Sequence, residues 1–175
     1  MTDINTLIDH SVDALEQRDA LALRTVSAEA LSEAAMDGHR ELILLALVDY
    51  ALSKIMSKIH YKGIEKKFYD NIKRHFMDAR TEDKEGMIKH LEQIEDLVIK
   101  LDAKEGNYSS NLMEKARIKK GAKLYEQGLS LRRAAELTGA DPVDVLHFVG
   151  GSKIHEFKGS SKNAQRLETA REVFG

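Results

Sequence analysis

Seven consecutive apolar residues, Leu42-Ile-Leu-Leu-Ala-Leu-Val48, constrain this chain more than any other feature. They open a pattern of helical spacing that narrows to Leu52, Ile55, Met56 and Ile59, which predicts a helix over about 39–60. A helix that is apolar almost all round belongs in the middle of a bundle. The same run is far too short to span a bilayer, so no membrane association is expected. A single proline, few aromatics and abundant Ala, Leu, Glu, Lys and Ile carry the helical expectation along the whole chain. Its 175 residues are enough to bury a sizeable core.

The flanking periodicities agree. Ile4, Leu7, Ile8, Val12 and Leu15 predict a helix over about 3–17. Leu23, Val26, Ala30, Leu31 and Ala34 predict a second, from about 19 to a stop at Asp37-Gly38. Ile64, Phe68, Ile72 and Phe76 recur every four residues over about 64–79. Thr81-Glu-Asp-Lys-Glu then opens a fifth helix with acids where the macrodipole favours them. In that helix Met87, Leu91, Ile94, Val98 and Leu101 form the seam of a near-antiparallel packing. Gly106-Asn107 divides the chain into an N-terminal bundle of about five helices, 1–105, and a C-terminal module, 106–175, packed on it.

The C-terminal module begins with a basic helix over about 108–127, and a helix-turn-helix-like pair follows it. Ser130 caps a helix with Leu131, Ala134, Ala135 and Leu137 inward, and Gly139 ends it. Asp141 stands at the next N-cap and Pro142 at the first helical position, with Val145, Leu146 and Phe148 or Val149 inward. After Gly150-Gly151, residues 152–159 are expected to be extended, and Ser160-Ser161 to cap a short tail helix.

The formal charge of −2 is unevenly spread. Residues 1–49 balance to −7, 50–76 to +5, 77–105 to −4 and 106–175 to +4. Such blocks either pair within the fold or leave basic patches for an acidic partner. A helix that reads DNA presents donors to base edges, yet the second helix of the pair offers only Asp141, Asp144 and His147. Two carboxylates at its start would meet phosphates with the wrong sign. Arg132 and Arg133, on the first helix, suit backbone contacts instead.

Chemistry-bearing motifs are sparse. The seven histidines show no paired ligand spacing, and each is expected to be structural or superficial, so no metal site is predicted. The absence of cysteine excludes disulfides and thiolate sites and suits a cytoplasmic protein, as does an N-terminus unlike a signal peptide. No phosphate-cradling loop or nucleophile elbow appears, and Glu82/Asp83 and Glu95/Asp96 are expected on solvent faces. Neither catalysis nor a cofactor is expected.

Between residues 112 and 175 stand, in order, Lys115-Ala-Arg-Ile-Lys-Lys, Gly128-Leu-Ser-Leu-Arg-Arg-Ala-Ala-Glu-Leu-Thr-Gly, Gly150-Gly-Ser-Lys-Ile-His-Glu and Arg166-Leu-Glu-Thr-Ala-Arg-Glu-Val-Phe. This order resembles a group of uncharacterised archaeal all-helical proteins with a C-terminal helix-turn-helix-like module. The bundle segment Leu45-Ala-Leu-Val-Asp-Tyr-Ala-Leu-Ser-Lys-Ile is similar to theirs, and the resemblance implies no activity. The core Ser130 to Gly139 also looks like the helix-turn-helix of small antitoxin-like proteins, over about twenty residues. Those usually carry Ser and an aromatic after the turn, where this chain has Asp141, Pro142 and Val143.

The expectation is therefore an all-α, non-catalytic regulatory or scaffolding protein. It would bind nucleic-acid backbone or an acidic protein partner through Lys119, Lys120, Lys123, Arg132, Arg133 and Lys153. The alternative is a pure protein–protein adaptor or a self-assembling homo-oligomeric bundle.

Overall fold

A computed structural model describes residues 3–58, 61, 63–104 and 111–157, of which residue 37 and the last six as backbone only. Among the described residues regular structure is helical throughout, with no strand. The helices are α1 (Ile4–Glu16), α2 (Ala20–Asp37), α3 (Arg40–Ser57), α4 (Lys66–Thr81), α5 (Lys84–Lys104), α6 (Leu112–Glu126), α7 (Leu131–Thr138) and α8 (Pro142–Phe157).

Helix α3 is the axis of the fold, as its all-round apolar run requires. Every residue from Glu41 to Asp49 is buried, and α1, α2, α5, α6 and α7 all pack on it. Its most extensive partner is α2, where Ala30 and Ala34 are fully buried, as is Ala46 of α3. Small side chains bring two backbones close. Ser27 of α2 uses that proximity, donating its hydroxyl to the Ala46 carbonyl at 2.5 Å.

Local chemistry sets the helix ends. The Asp19 carboxylate accepts the Leu21 and Ala22 amides at 2.9 Å, and α2 ends on Gly38 in the left-handed region at φ 69°. Asn111 caps α6 by accepting from Met113 and Glu114. The junction of α4 and α5 lies slightly later than the sequence suggests. Thr81 closes α4, and Asp83 opens α5 by accepting the Gly86 amide at 2.9 Å.

The main core runs without interruption from α1 into α6 and α7, including Leu112, Met113, Ala116, Leu124 and Ala134. Asp102, buried near the end of α5, anchors the start of α6. Its carboxylate accepts the Leu112 amide at 2.8 Å and the Tyr61 hydroxyl. The sequence break at Gly106-Asn107 lies outside the described residues.

Gly121 lets α7 and α8 pack onto α6. A Cβ there would stand 2.9 Å from the Thr138 hydroxyl and 3.0 Å from a Val145 methyl. The caps between α7 and α8 match the sequence expectation. Ser130 accepts the Arg133 amide at 3.2 Å, Gly139 is left-handed at φ 68°, and Asp141 accepts the Val143 amide at 2.7 Å.

Two expectations are corrected in this region. Val145 and Val149 point inward, whereas Leu146 and Phe148 are about half exposed, because Val145 and Val149 are the pair one turn apart on the α6-facing side. Residues 152–157 are helical and not extended: α8 passes through Gly150-Gly151 to Phe157. Neither glycine adopts a positive φ, so the pair weakens the helix without breaking it. The tail helix expected after Ser160 lies outside the described residues.

The charge blocks pair partly with one another. Lys73 joins Glu16, Arg80 meets Asp9 at 3.1 Å, Arg40 meets Glu92 at 2.5 Å, and Arg117 joins Glu95. Arg18, left-handed at φ 56° between α1 and α2, lays its guanidinium 3.2 Å over the Tyr69 ring. No helix among the described residues is long and apolar enough to cross a membrane.

Candidate functional site

Two of the lysines singled out by sequence, Lys119 and Lys120, converge with Lys54 on one aromatic ring. Residues 119 and 123 are one turn apart on α6 and share a face, while Lys120, next along the helix, is only 8 % exposed. Opposite them, Tyr50 and Lys54 stand one turn apart on α3. The ammonium groups of Lys120, Lys54 and Lys119 lie 5.1, 5.2 and 5.5 Å from the centroid of the Tyr50 ring. At that range the face of the ring attracts each cation. Tyr50, Lys119, Lys120 and Lys123 line a cavity of about 290 Å³, whose apolar wall includes Leu31 of α2 and Phe148 of α8.

Asp49, which precedes Tyr50 on α3, is fully buried. Burial pushes its carboxyl up to about 8, against the opposing pull of Ser11 and then of Lys120. Burial likewise pushes the Lys120 amine down to about 8; Asp49 holds it up and Lys119 adds to the fall. Burial thus disfavours the charge on both groups and favours a protonated Asp49 beside Lys120 at neutral pH.

The hydrogen bonds fit that assignment. Asp49 Oδ2 is 2.8 Å from Ser11 Oγ, which is 3.0 Å from the Leu7 carbonyl. A serine hydroxyl has one hydrogen. It serves both contacts if the protonated Asp49 donates to Ser11 and Ser11 donates to Leu7. Among the described residues Lys120 and Lys119 make no ion pair, and Lys123 reaches only Glu126, at 3.6 Å. The cavity thus has an apolar wall and three lysines against one acid, Glu126, which meets Lys123; this environment suits a carboxylate or phosphate attached to an apolar group.

The other sequence candidates lie elsewhere. Arg132 bonds Glu136 at 2.9 Å on the exposed face of α7. Arg133 lies 3.9 Å from the same carboxylate, with its guanidinium against Gly38 at the end of α2. A cation suits that position, where unpaired carbonyls of the helix collect. The side chain of Lys153 lies outside the described residues. Sequence reasoning missed Tyr50 and Asp49. The available signal was an acid directly following an all-round apolar run, at a position that the same periodicity buries.

Glu95 also departs from expectation: it is buried and takes an ion pair from Arg117, whereas its neighbour Asp96 is exposed. Among the histidines, His39 contacts Glu41 at 3.1 Å, and His75 meets His90 across the α4–α5 hairpin at 3.1 Å between Nδ1 atoms. No protein-family model, curated protein or solved structure matches this chain.

Proposed function

We propose that the protein is a non-catalytic regulatory or scaffolding protein that binds an acidic protein partner. The basic start of its C-terminal half, Lys119, Lys120 and Lys123 around Tyr50, would hold the partner's carboxylates. The observation that carries this reading is Lys120, a residue nine-tenths buried at the cavity without an ion-pair partner among the described residues. A protein partner is favoured over nucleic acid by what surrounds the cavity. On α8, Phe148 lines the cavity, and Val143 (58 % exposed) and Leu146 are further exposed apolar side chains, with Asp141 and Asp144 at the start of the helix. Exposed apolar side chains rimmed by charge suit a protein surface better than a phosphate backbone. In this reading α7–α8 is a protein-facing unit and not a base-reading one.

The test is fluorescence anisotropy with a labelled peptide of alternating Glu and Leu, run beside labelled double-stranded DNA and RNA at low and high salt. Salt-sensitive peptide binding that falls at least tenfold in Lys120→Met and in Lys119→Ala/Lys123→Ala is expected. If DNA or RNA binds instead and Arg132→Glu/Arg133→Glu abolishes it, the nucleic-acid reading replaces this one. Peptide affinity unchanged by the lysine substitutions would remove the cavity from the binding site.

A further inference from the structure

Helices α4 and α5 form an antiparallel hairpin turning at Glu82-Asp83. In such a hairpin, residues equally distant from the turn lie opposite each other. His75 is seven residues before Glu82 and His90 seven after Asp83. Between the helices run Ile72, Phe76 and Ala79 of α4 with Met87, Leu91 and Ile94 of α5, all buried. The two histidines are half-buried beside this apolar seam, where both helices fix their backbones.

The imidazoles are not stacked. Their centroids are 5.5 Å apart, their planes are tilted by 42°, and their Nδ1 atoms approach to 3.1 Å. Two nitrogens at this distance either share one hydrogen or direct both lone pairs at one cation. For metal–nitrogen bonds of about 2.0–2.1 Å, a single ion holds adjacent donors about 3.0 Å apart in octahedral and 3.4 Å in tetrahedral geometry. The observed separation falls between them.

A third donor stands on the same side. Asp78 is three residues after His75 and so on the same face of α4. One ligand atom from each of His75, Asp78 and His90 lies within 4.8 Å of the other two. Rotation about the Asp78 side-chain torsions can bring its carboxylate closer to the two nitrogens.

We propose that His75, Asp78 and His90 bind one divalent first-row transition-metal ion across the α4–α5 hairpin. Two imidazoles with one carboxylate suit zinc, nickel, cobalt or ferrous iron. Calcium and magnesium take all-oxygen sets, which this site does not offer. Three protein ligands leave at least one coordination position for water or an external ligand. Bound there, the ion cross-links α4 to α5 and stabilises the hairpin. None of these residues lines the lysine cavity, so the two sites are tested separately.

The experiment is calorimetric titration of ZnCl2 into the untagged, chelator-stripped full chain, with CoCl2 absorption reporting coordination number and MgCl2 as the control. One equivalent of Zn2+ should bind with a Kd on the order of 1 μM or tighter, and MgCl2 should not compete. His75→Gln and His90→Gln should each weaken binding at least as much as the roughly 10–100-fold seen on losing a residue that merely supports a ligand. Asp78→Asn should weaken it less, while His39→Gln and His147→Gln should leave it unchanged. A hundredfold excess of Zn2+ over Kd should raise the melting temperature of the wild type by about 5–10 °C.

Metal-free circular dichroism of each variant separates lost ligation from lost folding. Imidazole 15N resonances supply a readout that needs no variant: Zn2+ must move those of His75 and His90 first. The proposal is overturned if the His75→Gln/His90→Gln double variant binds Zn2+ as well as the wild type does. It is equally overturned if other histidines respond first.

Discussion

Burial of Asp49 ties the stability of the fold to pH. In the unfolded chain its carboxyl titrates at 3.8, and in the fold burial carries it to about 8. The folded state therefore binds the proton more tightly. The associated stability is fully present below pH 3.8 and is lost as pH rises toward 8. At about 1.4 kcal/mol per unit over about four units, the wild type loses up to roughly 5 kcal/mol across that window. Above pH 8 the sign reverses. The folded Lys120 amine titrates at about 8 and the unfolded one at 10.5, so stability recovers by up to roughly 3 kcal/mol over that range. The pair thus produces a stability minimum near pH 8.

Asp49→Asn isolates the first limb. The amide keeps the shape of the protonated acid and donates to Ser11 as the acid does, but its second N–H has no partner there. That costs about 1–2 kcal/mol, making the variant less stable than the wild type at pH 4–5. It has no proton to lose, so its stability does not follow the wild-type decline. The two curves should cross near pH 5, and by pH 8 the variant should be more stable by roughly 3 kcal/mol. Without a carboxylate to hold up Lys120, the recovery at high pH should also begin earlier. Urea unfolding followed by circular dichroism, at intervals from about pH 4.5 to pH 9, measures the difference directly. Parallel curves, with the wild type ahead throughout, would refute the protonated assignment and with it the uncompensated charge of Lys120.

Two further substitutions test the packing. Gly121→Ala gains about 1 kcal/mol of helix propensity, yet its methyl meets Thr138 at 2.9 Å, where the hydroxyl is held to the Ala134 carbonyl. It should be neutral to destabilising by about 2 kcal/mol in urea unfolding, and Gly121→Val worse, with amide protection of α7 and α8 lost first; a stabilised valine variant would contradict the contact. Asp102→Ala strips the acceptor from the buried Leu112 amide and the Tyr61 hydroxyl, and should cost about 2–4 kcal/mol. Asp102→Asn, which keeps one acceptor oxygen, should cost less; equal losses would show that packing and not hydrogen bonding holds the start of α6.

Much of the local structure is legible in the residues themselves. Ser130, Gly139 and Asp141 announce their caps, and Gly38 its helix end, because capping joins groups within four residues of each other. The finer choice between Phe148 and Val149 is not legible. Both satisfy helical spacing, and the position of α6 decides which is covered. The same holds for Glu95 and Asp96, adjacent acids of which only Glu95 meets Arg117.

The sequence by itself determined that the chain is helical and that α3 lies at the centre, since a helix apolar on every side is stable only when surrounded. It also determined that α6 is basic. Only the tertiary structure decided that Lys119 and Lys120 meet Tyr50 in a cavity that Lys123 also lines, while Arg132 and Arg133 turn to Glu136 and the end of α2. It alone brought His75 to His90. The physical reason is that caps and periodicity act over a few residues, whereas the charge on Asp49 or Lys120 depends on solvent exclusion by helices distant in sequence.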